Sequence, residues 1–271
     1  MCKLFIITGA LHRAGITRVL AAANKEFRQT EQDGFGFIAT ANGTYARGRY
    51  FEPKKFRGFG RGRPHADTGD IAEENRLPKF SQTLIVHGRT ATSTKKLANC
   101  HPFMFGHEAL AHNGVVSWIG EPDEEPSQEC DSEQFFSWLK DHSWEEAIRD
   151  WAGWGAMAHV DIHTGILTIV RDRATLYGAK RADGVGWVFA TRRAHLKAIC
   201  KHAGIRLTRD PLLLPDHKIL YFSQCGEVTS VEDWQGFAER QYTHLDELSW
   251  GYRDPQVVKS DDDNRLYEGT S

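Results

Sequence analysis

An α+β fold of layered antiparallel strands and helices is what this sequence predicts, and three observations lead there. Apolar runs of strand length recur along the chain with turn residues between them. Two pairs of these runs read as hairpins, one around Asn113-Gly114 and one around His163-Thr164-Gly165. Amphipathic helical stretches are mixed among the strands without the regular strand–helix alternation of a parallel βαβ sheet. With 271 residues the chain has ample length for a core, and no internal repeat or clean linker divides it.

Taken in order, Leu4 to Ile7 form an apolar strand behind Cys2 and Lys3. From Leu11 to Phe27 the residues Ile16, Val19, Leu20, Ala23 and Phe27 recur at helical spacing. "GFGFIAT" reads as a strand and "NGT" as the turn after it. Residues 42–80 are rich in Gly, Arg, Lys and Pro with little periodicity, which suggests a long excursion, with a basic loop insertion at about 45–65. "TLIVHG" is a buried strand, and "EALAHNGVVSWI" is two short strands joined at Asn113-Gly114. Asp131 to Leu139 is a helix with an Asp cap, and Ser143-x-x-Glu146 is a capping box opening another. "GAMAHVDIHTGILTIVRD" is the second hairpin and "GWVFAT" a strand. Arg192 to Ala203 is a helix stopped by Gly204, and "HKILYFS" is a further strand. The last twenty or so residues carry no core pattern, so 2–250 reads as the domain and 251–271 as an acidic, flexible tail.

Composition narrows the class. The chain is 40% hydrophobic and 26% charged with a formal net charge of -2. No apolar run approaches the roughly 18 residues of a membrane helix, and Leu4–Ile7 lacks the basic leader and cleavage pattern of a secretory signal. Five cysteines at irregular spacing argue against a disulfide framework and for a reducing cytoplasm. Charge is uneven: residues 47–63 hold seven bases against one acid, and residues 121–133 hold seven acids and no base. Interleaved Arg, Gly and Phe in "KKFRGFGRGRP" is a pattern found in single-strand nucleic-acid binders, but with a slightly negative overall charge a solvated basic loop is the plainer reading.

The chemistry-bearing residues begin at the N-terminus. Cys2 has a plain reading, as the start of a buried strand. It has a sharper one too: with Met1 removed, one residue would present a thiol and an α-amine, a nucleophile and its base. Acyl transfer of that kind also needs donors for an oxyanion. Asn113 and Gly114 are such donors if a tight turn holds the Asn amide and the Gly N–H in place. Arg89 follows a strand, where its planar fork suits a carboxylate. "HVDIH" sets His159, Asp161 and His163 two apart, a spacing open to a metal on one strand face.

In chain order these residues fall in "MC", "QDGFGFIA", "VHGRTATSTKKLANCHPF", "LAHNGVVS" and "CDSEQFF". The series resembles the class II glutamine amidotransferases, which are N-terminal nucleophile hydrolases, over roughly residues 2–225. The resemblance implies a four-layer αββα sandwich of two antiparallel sheets with the site at one end. It implies Cys2 as nucleophile, Asn113 and Gly114 as oxyanion donors, Arg89 and Thr92 on the substrate carboxylate, and Asp131 on its ammonium. His101 matches a position near the loop that covers glutamine, where a structural role fits as well. Thr90 departs from the Trp that many relatives carry after the Arg. The resemblance implies no metal or organic cofactor, and places His159, Asp161 and His163 on a core hairpin where no ligands are expected.

The activity expected on this basis is hydrolysis of the glutamine side-chain amide to glutamate and ammonia. A separate acceptor synthetase is the expected partner, because few residues follow "HKILYFSQ". Two alternatives stay open: hydrolysis of another γ-glutamyl amide, or a non-catalytic module that uses residues 47–63 to bind nucleic acid or an acidic partner.

Overall fold

The computed structural model describes residues 2–30, 33–50, 76–90, 97–119 and 131–234. Thr92, residues 51–63 of the basic stretch, most of the acidic stretch and the 251–271 tail lie outside the described residues. In chain order the elements are β1 (Lys3–His12), α1 (Arg13–Phe27), β2 (Gly34–Ala41), β3 (Thr44–Tyr50), β4 (Phe80–Arg89), β5 (Phe103–Phe105) and β6 (Glu108–Ile119). They continue with α2 (Asp131–Trp138), α3 (Trp144–Asp150), β7 (Trp151–Asp161), β8 (Leu167–Asp172), β9 (Tyr177–Lys180) and β10 (Trp187–Ala190). The last are α4 (Arg193–Ala203), β11 (Leu212–Leu213), β12 (Lys218–Phe222) and β13 (Val228–Asp233).

Two antiparallel sheets result, in the orders β11-β9-β10-β1-β4-β2-β3 and β13-β12-β8-β7-β6-β5. Strand periodicity explains the layering, because side chains alternate between faces. Along β1, Phe5 and Ile7 join α1 and α4 in one core, with Val19, Leu20, Leu196 and Ile199. Leu4 and Ile6 turn the other way, into a core shared with Ala111, Ala158 and Ile169 of the second sheet. That sheet sends Leu110, Met157 and Val170 outward against Phe135, Trp144 and Ile148 of α2 and α3. The layers are therefore α, β, β, α, as expected.

Several local readings match. Asn42 (φ 45°) and Gly43 (φ 75°) take left-handed backbone and join β2 to β3. Ser143 caps α3 through a complete capping box with Glu146. Gly204 ends α4 at φ 73°.

Three readings are corrected. The Asn113-Gly114 pair is not a turn: β6 runs unbroken through it, with Asn113 opposite Ala156 and Gly114 opposite Gly155. Residues 44–50 are a strand, not the start of a loop excursion. As an edge strand β3 needs one neighbour and no apolar alternation, and Arg47 turns inward to donate to the Pro102 carbonyl at 2.6 Å. The strand begun at Leu4 continues to His12, so the first helix starts at Arg13 and not at Leu11.

Candidate active site

The first residues of β1 and the last of β4 meet at one end of the sandwich. Lys3 is in register with Gly88, and Gly34 of β2 with Arg89. Alternation then puts Cys2, Arg89 and Gly34 in one row across three strands, on the face that looks toward the second sheet. Cys2 is partly buried, and its Sγ lies 3.7 Å from the Thr90 carbonyl oxygen. Arg89 is buried at the end of β4. The next row inward holds Leu4, His87 and Gly36.

The glycines of "DGFGF" have a steric reason. A Cβ on Gly34 would stand 2.5 Å from Cys100 Sγ, and one on Gly36 would stand 1.9 Å from the His101 carbonyl oxygen. Without those methyl groups the sheet surface is a trough, and the Cys100-His101 segment lies in it. His101 precedes a cis peptide to Pro102. Its ring packs edge-on against Phe103, with centroids 4.6 Å apart.

Above this row the second sheet brings β6. His87 Nε2 is 3.1 Å from the His112 carbonyl oxygen and 3.1 Å from His101 Nδ1. A carbonyl only accepts, so His87 carries its hydrogen on Nε2, and His101 Nδ1 accepts as well. Burial, offset in part by the hydrogen bond to the His112 carbonyl, pushes the His87 pKa down to about 3; His112, Arg89 and Lys3 add to the depression. Burial, with His87, His112 and Arg89 nearby, likewise holds His101 well below the usual histidine range. His112 Nδ1 lies 3.1 Å from Ser132 Oγ at the start of α2.

Asn113 and Gly114 come directly after His112. Asn113 is buried, and its Oδ1 has no hydrogen-bond partner among the described residues. Gly114 is needed for close approach rather than for a turn. A Cβ there would stand 2.0 Å from the Trp154 carbonyl oxygen and 2.4 Å from Gly155 Cα. β5 pairs with β6 only from Glu108 to Leu110, so beyond that point β6 borders β7 on one edge and no further strand on the other among the described residues.

The structure thus brings Cys2, Arg89 and His101 to one end of the sandwich, and the His87–His112 bond ties that end to the strand bearing Asn113 and Gly114. Asp131 is the first residue of α2, whose second residue meets His112. His87 was missed in the sequence, although "TLIVHG" puts it on the same strand face as Arg89. The three residues of "HVDIH" do not share one strand face, because β7 ends at Asp161 and His163 lies in the turn beyond it. His159 is buried and stacked on Trp144 at 4.3 Å, while Asp161 accepts from the His163 and Thr164 backbones at the hairpin turn. No cluster of three metal-ligating side chains occurs among the described residues.

Two antiparallel sheets between helical layers define an α+β sandwich, and solved structures share that fold. The chain is similar to the glutamine phosphoribosylpyrophosphate amidotransferase from B. subtilis, solved in complex with ADP and GMP, at 18% identity and a TM-score of 0.56. It is also similar, at 18% identity and a TM-score of 0.60, to a solved allosteric regulatory enzyme of purine biosynthesis. Each match covers 86% of this chain and 49% of the other, so the chain spans about half the length of these proteins. No family model and no curated protein matches the chain.

Proposed function

We propose that this chain is a glutaminase that hydrolyses the side-chain amide of glutamine and passes the ammonia to a separate acceptor synthetase. The observation that carries the reading is the shared row of Cys2 and Arg89 at the mouth of the sandwich. In that row a thiol stands one strand away from a buried guanidinium, the spacing of a nucleophile and a clamp on one small zwitterion.

The steps follow from the residues. With Met1 removed, the Cys2 α-amine, a base of ordinary pKa ~8, takes the thiol proton. Sγ attacks the carboxamide carbon, and the oxyanion is met by the Asn113 amide and the Gly114 N–H. Alternation along β6 supports the second donor. His112 directs its carbonyl out of the sheet toward His87, and Gly114, two residues on, turns its backbone to the same side. Collapse breaks the C–N bond, and the departing nitrogen takes the proton held by the α-amine. Water then attacks the γ-glutamyl thioester, giving glutamate and returning the thiol. Arg89 and Thr92 hold the α-carboxylate, Asp131 the α-ammonium, and His101 lines the covering side.

The test is glutamate release from glutamine by protein whose mass shows Met1 absent, with Cys2→Ala as the control. Release by wild type and none above background in the variant is expected. Equal rates would sink the mechanism, and release from γ-glutamyl amides but not glutamine would move the substrate within the same chemistry.

A further inference from the structure

Beyond the residues that would touch glutamine, we propose that His87 is a positioning residue that sets the spacing between the Arg89 strand and the oxyanion strand through one shared N–H. The inference rests on the glutaminase reading, but its evidence is geometric and separate. His87 lies two residues before Arg89 on β4 and on the same face. Its Nε2 reaches the His112 carbonyl oxygen at 3.1 Å, one residue before Asn113 on β6. The same nitrogen reaches His101 Nδ1 at 3.1 Å, with the two rings edge-to-face at 4.2 Å.

One donor therefore joins three separate stretches: the end of β4, the middle of β6, and the segment lying in the Gly34–Gly36 trough. These belong to different sheets, and the core around them is apolar and non-directional. Leu4, Ile6, Ile38 and Ile85 hold the sheets together, but apolar contact tolerates small sliding where a hydrogen bond does not. The hub stays neutral through ordinary pH, because burial carries its pKa down to about 3. Its hydrogen is therefore committed to these acceptors and is not part of proton transfer to substrate.

The chemistry makes the spacing matter. Attack by Cys2 requires the carboxylate end of the substrate and its carboxamide to be held at once, by groups on different sheets. A shift of about 1 Å in such an arrangement costs on the order of 100-fold in rate.

The test compares His87→Phe, which keeps a ring without the donor, with His87→Gln, which keeps an N–H near the Nε2 position. His87→Phe should lower kcat for glutamine about 100-fold while the rate of Cys2 alkylation by iodoacetamide stays within twofold of wild type. His87→Gln should recover at least about a tenth of wild-type kcat, and the pH dependence of kcat above pH 6 should be the same in all three. Activity of His87→Phe within twofold of wild type, or equal loss in both variants, overturns the proposal. Should wild type release no glutamate, amide hydrogen exchange still decides it. Residues 111–116 should exchange faster in His87→Phe and at the wild-type rate in His87→Gln; unchanged exchange in His87→Phe overturns it.

Discussion

Gly114 and Trp154 approach each other diagonally across the β6–β7 ladder so closely that a methyl group at position 114 would stand 2.0 Å from the Trp154 carbonyl oxygen. Neither partner is a flexible side-chain end, so one strand must move to admit the added carbon. Gly114→Ala should therefore destabilise by at least ~2 kcal/mol, lowering the thermal midpoint by about 4–8 °C for a domain of this size. Gly43→Ala is the comparison: space is open there, and only the positive φ opposes the change, at ~1–2 kcal/mol. Calorimetry on both variants checks the order, and a milder effect at 114 than at 43 would contradict it.

Acid sensitivity should follow from the buried histidines. His87 and His101 are held neutral in the fold, far below the ordinary value of ~6.5 that they regain on unfolding. Between those limits the unfolded chain binds protons that the folded chain does not. Stability is thus fully present above about pH 6.5 and falls as pH drops toward 4, by up to ~1.4 kcal/mol per pH unit for each histidine. Urea midpoints measured at half-unit steps should decline through this window, and the decline should be shallower in His87→Gln. Equal slopes in the two proteins would refute the assignment.

Thiol reactivity should sort by burial. Burial pushes the Cys200 thiol up to about 12, and Cys100 is buried as well. Cys225 is exposed and Cys2 partly so. Brief iodoacetamide treatment at pH 8 followed by peptide mass spectrometry should find label on Cys2 and Cys225 and almost none on Cys100 or Cys200. Strong native labelling of Cys200 would contradict the packing around α4.

The helix α3 that supports the second sheet depends on the residue that caps it, Ser143. Ser143 Oγ accepts from the Glu146 N–H at 3.2 Å, and Glu146 accepts from the Ser143 N–H at 2.8 Å. Ser143→Ala should cost about 1 kcal/mol, read as a lowered urea midpoint with an unchanged slope. A loss below the error of the measurement would mean that Trp144 and Ile148 packing alone holds α3.

The dipeptide Asn-Gly occurs at both 42–43 and 113–114 and shows how far local reading reaches. At 42–43 it is the turn that the pair favours, because β2 and β3 are neighbours in sequence and in space. At 113–114 the same pair lies mid-strand, because the long partner Trp151–Asp161 supplies a continuous ladder and small residues at Gly153 and Gly155. Local signals for helices fared better: the Ser143 box and the Gly204 stop act within one turn of the chain. Strands β9, β11 and β13 gave little signal, since they are short or largely exposed. Cys2 and Arg89 were legible as residues, but not as neighbours in one row with Gly34. Register between β1, β4 and β2 is set by pairings of residues far apart in the chain, and so is the trough that receives His101.

The central place of β1 has a consequence for the order in which the molecule assembles. Phe5 pairs on one side with Val86 and on the other with Ala190. A strand made early is therefore enclosed late, since β10 must be synthesised before the second edge of β1 is covered. Closing so long a loop is slow compared with forming local structure. During that interval the edge of β1 that later pairs with β10 stays uncovered.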